Sequence, residues 1–380
     1  MKDSELLALH RDIVALPSIS GEEAELAGFL SRLLARHDIA TERVGDNLYA
    51  LLDGEGPLVC LNSHLDTVPP SAAWSRPPYL ATVHDGKVYG LGSNDAKASV
   101  AAMVAACIRL HAAPRPRPRV LLTLVAAEET GGKGTEALLP HLAARGLTPD
   151  AVIVGEPTGL DIAIAQKGLL VLELLVRGRA CHAAHAHALG AKNALRLLAH
   201  DLVALDSLTL GATHQELGPV TLEPTLAAAG TAKNVVPALA TCTLDVRTNP
   251  EPTHEQLIVE IGRAVRGDIK VVSKRLRPCS IAPTHPLVRA AQEARPEARL
   301  FGSRGVSDLV FFCGIPGIKV GPGDTERSHT ADEFVLESEV LAGAQFYERA
   351  VLALRDLAPR PAAVAAAAAA ESAPALGGAL

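Results

Sequence analysis

The sequence has little charge of either sign to spare and no long apolar run. Its 36 Lys and Arg against 42 Asp and Glu leave a formal charge of −6, which offers no basic surface for nucleic acid. No stretch approaches the ~18 consecutive apolar residues of a membrane span. The opening MKDSELLALHRDIVALPSIS lacks the basic region and apolar core of a secretory signal, so a cytoplasmic protein with no membrane partner is expected. The six cysteines, at 60, 107, 181, 242, 279 and 313, include no C-x-x-C pair. They read as separate core thiols, not as a disulfide framework or a cysteine zinc site. The glycines of GLGSNDAK miss the G-x-G-x-x-G spacing, which argues against a dinucleotide loop.

What is present is a chain of 380 residues, 48% apolar and 21% charged, enough for one large domain with an insertion or for two domains. Helical spacing marks 4–16 and 22–37, and short strand-like runs follow in NLYALLD, PLVCLNSH and KVYGLGS. A long apolar helix is expected over about 97–111, then the strand VLLTLV, a helix at about 135–145 and the strand of DAVIVGEPT. This alternation predicts an α/β fold: a mostly parallel sheet sandwiched by helices, whose ligands gather beyond the carboxyl ends of the strands. From about 168 to 282 the order becomes β-α-β-β-α-β, a smaller α+β insertion. The expected organisation is therefore 1–167 with 283–357 as one discontinuous domain, 168–282 as the insertion, and an Ala/Pro-rich tail over 358–380 that is too poor in large apolar residues to fold.

The polar residues fall at the predicted strand ends. In NSHLDTV, His64 and Asp66 share a side of an extended segment, so the Asp66 carboxylate can orient the His64 ring for a metal; as a lone pair they are also ordinary polar neighbours. Asp95 stands between a strand and the long helix, where an N-cap is an equal use. Glu156, before Pro157, and His329, in a Gly/Pro-rich loop, are each compatible with simple turns. The adjacent Glu128 and Glu129 are harder to explain without a ligand. Two close carboxylates in a poorly solvated site repel unless a positive charge intervenes, and in extended chain they point apart, so one can bind metal while the other serves as general base. Together these residues suit two divalent ions, with zinc favoured by the mixed N/O set and cobalt or manganese compatible.

In order, SHLDTV, GLGSNDAKAS, EET, VGEPT, GTAKNVVP, DVRTNP and GPGDTERSHTADE resemble the di-zinc amidohydrolase family of acetylornithine deacetylase, succinyl-diaminopimelate desuccinylase and aminoacylase, over about residues 5–355. The acetylornithine and succinylornithine deacetylases of arginine synthesis are the most similar in these stretches. The resemblance implies that His64, Asp95 and Glu156 hold one ion and Asp95, Glu129 and His329 the other, with Glu128 as general base and Asp66 orienting His64. It makes the insertion a lid or homodimerisation domain that supplies His182 to polarise the scissile carbonyl, with Asn234 and Arg247 touching substrate. Lys167 and Arg304 are further candidates for a substrate carboxylate. Cys181 before His182, and the extra His185 and His187, depart from the family pattern. The implied reaction is deacetylation of N-acetylornithine. N-succinylornithine, N-acetylcitrulline, N-acetyl-lysine, succinyl-diaminopimelate and dipeptides are alternative substrates, and an inert metal-binding scaffold is the non-enzymatic alternative.

Overall fold

In the computed structural model, which describes residues 1–113 and 116–359, the apolar runs of the first half pair into a mostly parallel sheet. Its strands follow the order Thr41–Val44, Asn47–Leu52, Arg119–Val125, Leu58–His64, Ala151–Val154, Gly317–Lys319 and Ile162–Gln166. Leu58–His64 runs parallel to both neighbours, with His64 opposite Val125 and Asn62 opposite Val154. It is buried along its whole length, which is why it reads as a continuous apolar run and not as an alternation.

The helix Lys97–Ala112 is apolar on nearly all sides because it is buried on nearly all sides. It packs against the terminal helix Glu337–Ala353, and just past the strand Ala151–Val154 the chain comes so close to it that a Cβ on Gly155 would stand 2.8 Å from that of Ser99. Helices Asp3–Val14 and Ala24–Ala35 bury Leu6, Leu9, Ile13, Leu26, Leu30 and Leu34 at helical spacing. Each such side chain contributes about 1.5–3 kcal/mol through burial, in one core shared with the sheet.

The chain divides into two compact units. The larger comprises Met1–Ile164, Ile281–Phe301 and the chain from Ser307 on; the smaller comprises Ala165–Ser280 and Gly302–Val306. The smaller unit runs Gly168–Arg177, Ala194–Asp206, Thr221–Ala229, Leu239–Thr248, His254–Ala264 and Asp268–Leu276 in the order β-α-β-β-α-β. Its antiparallel sheet has the order Thr221–Ala229, Leu239–Thr248, Gly168–Arg177, Asp268–Leu276. The two middle strands alternate buried and half-buried residues, and their inner face joins Leu198, Leu257 and Ile261 of the helices in a separate core.

Gly302–Val306, assigned from sequence to the larger domain, belongs to the smaller unit. The Lys167 amide donates to Ser303 O at 3.0 Å, and a Cβ on Gly302 would meet Glu216 O at 2.4 Å, so this segment is bound there by backbone contacts. The cysteines are all free. Among the described residues no helix is long and apolar enough to cross a membrane. The tail expected over 358–380 lies, from residue 360, outside the described residues.

Candidate metal centre

The parallel strands of the larger unit deliver their polar residues to one place. His64 ends its strand, Glu128 and Glu129 follow Arg119–Val125, and Glu156 follows Ala151–Val154. Asp95 precedes the helix Lys97–Ala112 but does not cap it: Ala96 takes the cap position, with no side-chain bond. The carboxylate is therefore turned elsewhere. Its Oδ1 lies 3.2 Å from His64 Nε2 and its Oδ2 3.7 Å from His329 Nε2. Beyond these, His64 Nε2 is 3.9 Å from Glu156 Oε1, and His329 Nε2 is 2.8 Å from Glu129 Oε1. One ligand atom each from His64, Asp95 and Glu129 lies within 4.8 Å of the others. Asp95 thus stands between two imidazoles, one paired with Glu156 and the other with Glu129.

Asp66 has a wider role than its sequence position suggests. His64 Nδ1 donates to the main-chain oxygen of Asp66 at 3.0 Å, while the carboxylate Oδ1 is 3.5 Å away. The carboxylate instead accepts the amides of Glu128, at 3.0 Å on Oδ1, and Glu129, at 3.0 Å on Oδ2. The Ser20 hydroxyl adds a bond of 2.7 Å to Oδ2. Asp66 therefore fixes both the ring of His64, chiefly through its backbone, and the turn that carries the two glutamates.

That turn is strained and tightly packed. Ala127 has φ 55°, a left-handed value that costs a non-glycine residue about 1–3 kcal/mol, and its amide is held by Glu23 Oε1 at 3.0 Å. Gly132, at φ 70°, has no room for a side chain, since a Cβ would fall 2.1 Å from Phe311 Cε2. The glycines after Glu128 and Glu129 are thus required by the turn. Asp308, 1% exposed, accepts the Thr135 hydroxyl at 2.8 Å and faces the same turn, with Oδ1 3.0 Å from the position a Gly132 Cβ would take.

The electrostatics fit a cation. Burial and then the neighbouring Asp95 push Glu156 up to about 8, and burial and then Glu156 hold Glu128 well above the usual carboxylate range. Burial raises Asp308 to about 6. Burial opposes charge on His64, but Asp66 and Asp95 outweigh it and hold the ring well above its ordinary value. The contact with Glu129 brings His329 up to about 9. Glu128, Glu156 and Asp308 thus bind protons more tightly than usual, chiefly through burial, and a divalent ion among them would offset the like charges that add to it. With two imidazoles and at least three carboxylates converging, the donor set suits such an ion.

The other predicted residues lie on the smaller unit. His182 is exposed and accepts the Ala184 amide at 3.2 Å. It pairs with Val235, and the Ala183 amide donates to Asn234 O at 2.9 Å, so His182 and Asn234 are neighbours. His185 lies beside His182, with ring centroids 5.7 Å apart and the rings tilted, and the His187 carbonyl accepts the Gly190 amide at 3.2 Å. Lys167 is buried, donates to Pro219 O, and has its ammonium pKa lowered by burial and by the charges of Arg304 and Arg247. These cations form one basic group. Arg247 is also held by Asp245 through bonds of 2.7 and 3.1 Å.

Residues 60–353 match the family described as Peptidase family M20/M25/M40. The chain belongs to this family. It is a hydrolase of a family that acts on amide bonds. Among curated relatives, succinyl-diaminopimelate desuccinylase of Rhodospirillum centenum is 35% identical over 376 residues, 90% of this chain and 95% of the relative. Succinyl-diaminopimelate desuccinylase 2 of Ruegeria sp. is 30% identical over 372 residues, 90% and 93% of the two chains. Among solved structures, aminopeptidase PepT of Bacillus cereus superposes with a TM-score of 0.79 at 21% identity, covering 93% of this chain and 99% of PepT. The Bacillus subtilis YXEP protein, a dinuclear metal-binding peptidase, does so with a TM-score of 0.72 at 18% identity, covering 92% and 97%.

The two curated relatives are succinyl-diaminopimelate desuccinylases, so the comparisons support the M20 family but not the acetylornithine deacetylase specificity expected from the sequence motifs. Three residues that sequence reasoning missed, Ser20, Glu23 and Asp308, support the Glu128–Glu129 turn. Ser20 and Glu23 fall just before the helix that begins at Ala24, where polar and acidic residues ordinarily mark a helix start.

Proposed function

We propose that the protein hydrolyses the amide bond of an N-acyl amino acid with two divalent metal ions, and that its acyl group is succinyl on a diaminopimelate-like amine. The observation that supports this reading best is Asp95, whose two oxygens face His64 and His329 separately. His64, Asp95 and Glu156 would hold one ion, and Asp95, Glu129 and His329 the other, with zinc as the proposed metal and cobalt as substitute. When bound, such ions supply Lewis acidity at the acyl carbonyl and lower the pKa of a water toward ~7.

The remaining steps fall to side chains of this protein. Glu128 accepts the proton of the attacking water on its carboxylate, holds it in the buried site, and passes it to the amine as the C–N bond breaks. Its burial, which favours the protonated carboxyl, suits a base that must retain a proton between the two transfers. Asp66 keeps Glu128 and Glu129 in register through their amides. On the smaller unit, the proposal gives His182 the polarisation of the scissile carbonyl, Asn234 a substrate contact, and Lys167, Arg247 and Arg304 the substrate carboxylates. It includes a homodimer formed through that unit, whose outer strand Thr221–Ala229 is exposed along almost its whole length.

The desuccinylase relatives and the basic group support the succinyl substrate; the motif resemblance supports N-acetylornithine as the second reading. Zinc- and cobalt-loaded protein assayed side by side on succinyl-diaminopimelate, N-succinylornithine, N-acetylornithine and N-acetylcitrulline separates them. The highest kcat/KM is expected for succinyl-diaminopimelate. A tenfold preference for N-acetylornithine or N-acetylcitrulline would reverse the acyl assignment, and metal-loaded protein inert on all four would remove the enzymatic reading.

A further inference from the structure

The loop that carries Asp95 is held by a carboxylate that the mechanism does not use. Glu333, 2% exposed, accepts the Gly92 amide on Oε2 at 3.0 Å and the amides of Asn94 and Asp95 on Oε1, each at 2.8 Å. Its own main-chain oxygen accepts the Gly90 amide at 3.0 Å and the Ser93 hydroxyl at 3.4 Å. Amides this close in sequence that point at one spot form an anion-binding concavity, and here the anion is built into the chain. Amide bonds to a charged acceptor are shorter and roughly twice as strong as neutral ones.

Glu333 lies four positions after His329, so the same carboxylate ties the loop of one proposed ligand to the loop of the other. Asn94 repeats the tie. Its side chain donates to Asp324 O at 3.0 Å and Ser328 Oγ at 3.3 Å, and accepts the Asp324 amide at 2.8 Å. On the far side Asp332, at φ 55°, accepts the amides of Ser75 and Arg76 at 3.0 and 3.1 Å. Consecutive acidic residues thus clasp two segments, and of the two it is Glu333 that grips the backbone of a proposed ligand.

We propose that Glu333 is a positioning residue that presets Asp95 between His64 and His329 by holding its amide, so that the two metal sites are assembled before metal arrives. The proposal rests on the reading that Asp95 binds metal. It implies that loss of the Glu333 charge weakens metal binding without any change in the ligands. Glu333→Gln is the informative variant. It keeps the shape and one acceptor oxygen, but turns a donor toward an amide that also donates.

The test measures zinc affinity by chelator competition, the visible absorption spectrum of the cobalt-loaded protein, and the Tm of metal-free protein, for wild type, Glu333→Gln, Glu333→Asp and Asp332→Asn. A positioning role predicts a 10- to 100-fold weaker zinc Kd for Glu333→Gln, in the range of residues that support metal ligands from behind, with an altered cobalt spectrum. It also predicts a smaller loss for Glu333→Asp and wild-type affinity for Asp332→Asn. Glu333→Gln with wild-type affinity and spectrum, whatever its Tm, would overturn the proposal. Equal losses in Glu333→Gln and Asp332→Asn would do so too, since they would reflect docking of the whole segment. If wild type binds neither zinc nor cobalt, the metal reading itself fails, a result distinct from either of these.

Discussion

His64 and His182 are both placed at the chemistry by family resemblance, yet their surroundings are opposite. His64 is 1% exposed and meets a polar partner at each ring nitrogen, and residues as distant in sequence as Ser20 and Glu128 are tied to it through Asp66. His182 is exposed and its ring accepts one amide from two residues away. The larger unit therefore fixes its polar geometry by burial and long-range bonds. In the smaller unit the side chains of His182 and Arg247 are held by neighbours two residues away, and specificity can drift there while the hydrolytic centre stays intact. Preorganised donors lose little on reorganisation, so substitutions in the larger unit should act on turnover and stability, and those at the proposed substrate contacts Asn234 and Arg247 of the smaller on substrate affinity.

The sharpest way to break this comparison is Glu128→Gln. The Asp66 bonds to the turn use backbone amides and survive, so the variant should bind the same complement of metal while turnover falls about 10²–10⁴-fold, the usual contribution of a positioned base. Metal content by elemental analysis beside kcat on the best substrate decides it. Near-wild-type turnover at full loading would remove Glu128 from the mechanism and leave the turn with only the metal role of Glu129.

The next effect is on stability. His10 has no solvent exposure; its Nε2 donates to Ser93 O at 2.9 Å and its Nδ1 has no hydrogen-bond partner. Burial pushes its pKa down to about 4, against ~6.5 in an unfolded chain. The unfolded state therefore takes up this proton first. The contribution is fully present above pH ~6.5, is lost as pH falls, and levels off near pH 4, with a total of about 3 kcal/mol. In metal-free protein, His10→Gln keeps a donor for Ser93 and should flatten the fall in stability across that interval by one proton. Identical pH slopes in urea denaturation of the two proteins would show that His10 takes up its proton within the fold.

How far the sequence reveals these differences depends on the range of the contacts. The strand ends were legible because a buried parallel strand is largely apolar, and His64, Glu128, Glu129 and Glu156 each stand at or just past the end of such a run. The insertion was legible through its element order, β-α-β-β-α-β, whereas the buried and half-buried alternation of Gly168–Arg177 was not, because its sequence is apolar almost throughout. The use of the Asp66 carboxylate was not, because its partners are amides 62 and 63 positions away, and an amide carries no residue signature. Asp308 was hidden for a related reason: its burial depends on Thr135 and the Gly132 turn, neither adjacent in sequence. The acyl group stayed illegible because the motifs that identify the family surround metal and base, which any amide substrate would share.

The smallest effect should come from the basic group of the smaller unit, where the comparison can be sharpened. Arg247 already forms a two-bond contact with Asp245, so part of its charge is neutralised before any substrate arrives, and the pair is partly exposed. Its contact with a substrate carboxylate is then worth only about 1 kcal/mol. Arg247→Ala should raise KM roughly fivefold, the equivalent of that energy, and leave kcat unchanged, because the contact exists equally in ground and transition states. Asp245→Asn should do the reverse and lower KM by freeing the guanidinium. A fall in kcat for Arg247→Ala at unchanged KM would mean that Arg247 acts on the reacting bond, and would dissolve the division of labour between a buried hydrolytic centre and an exposed, locally held surface for substrate.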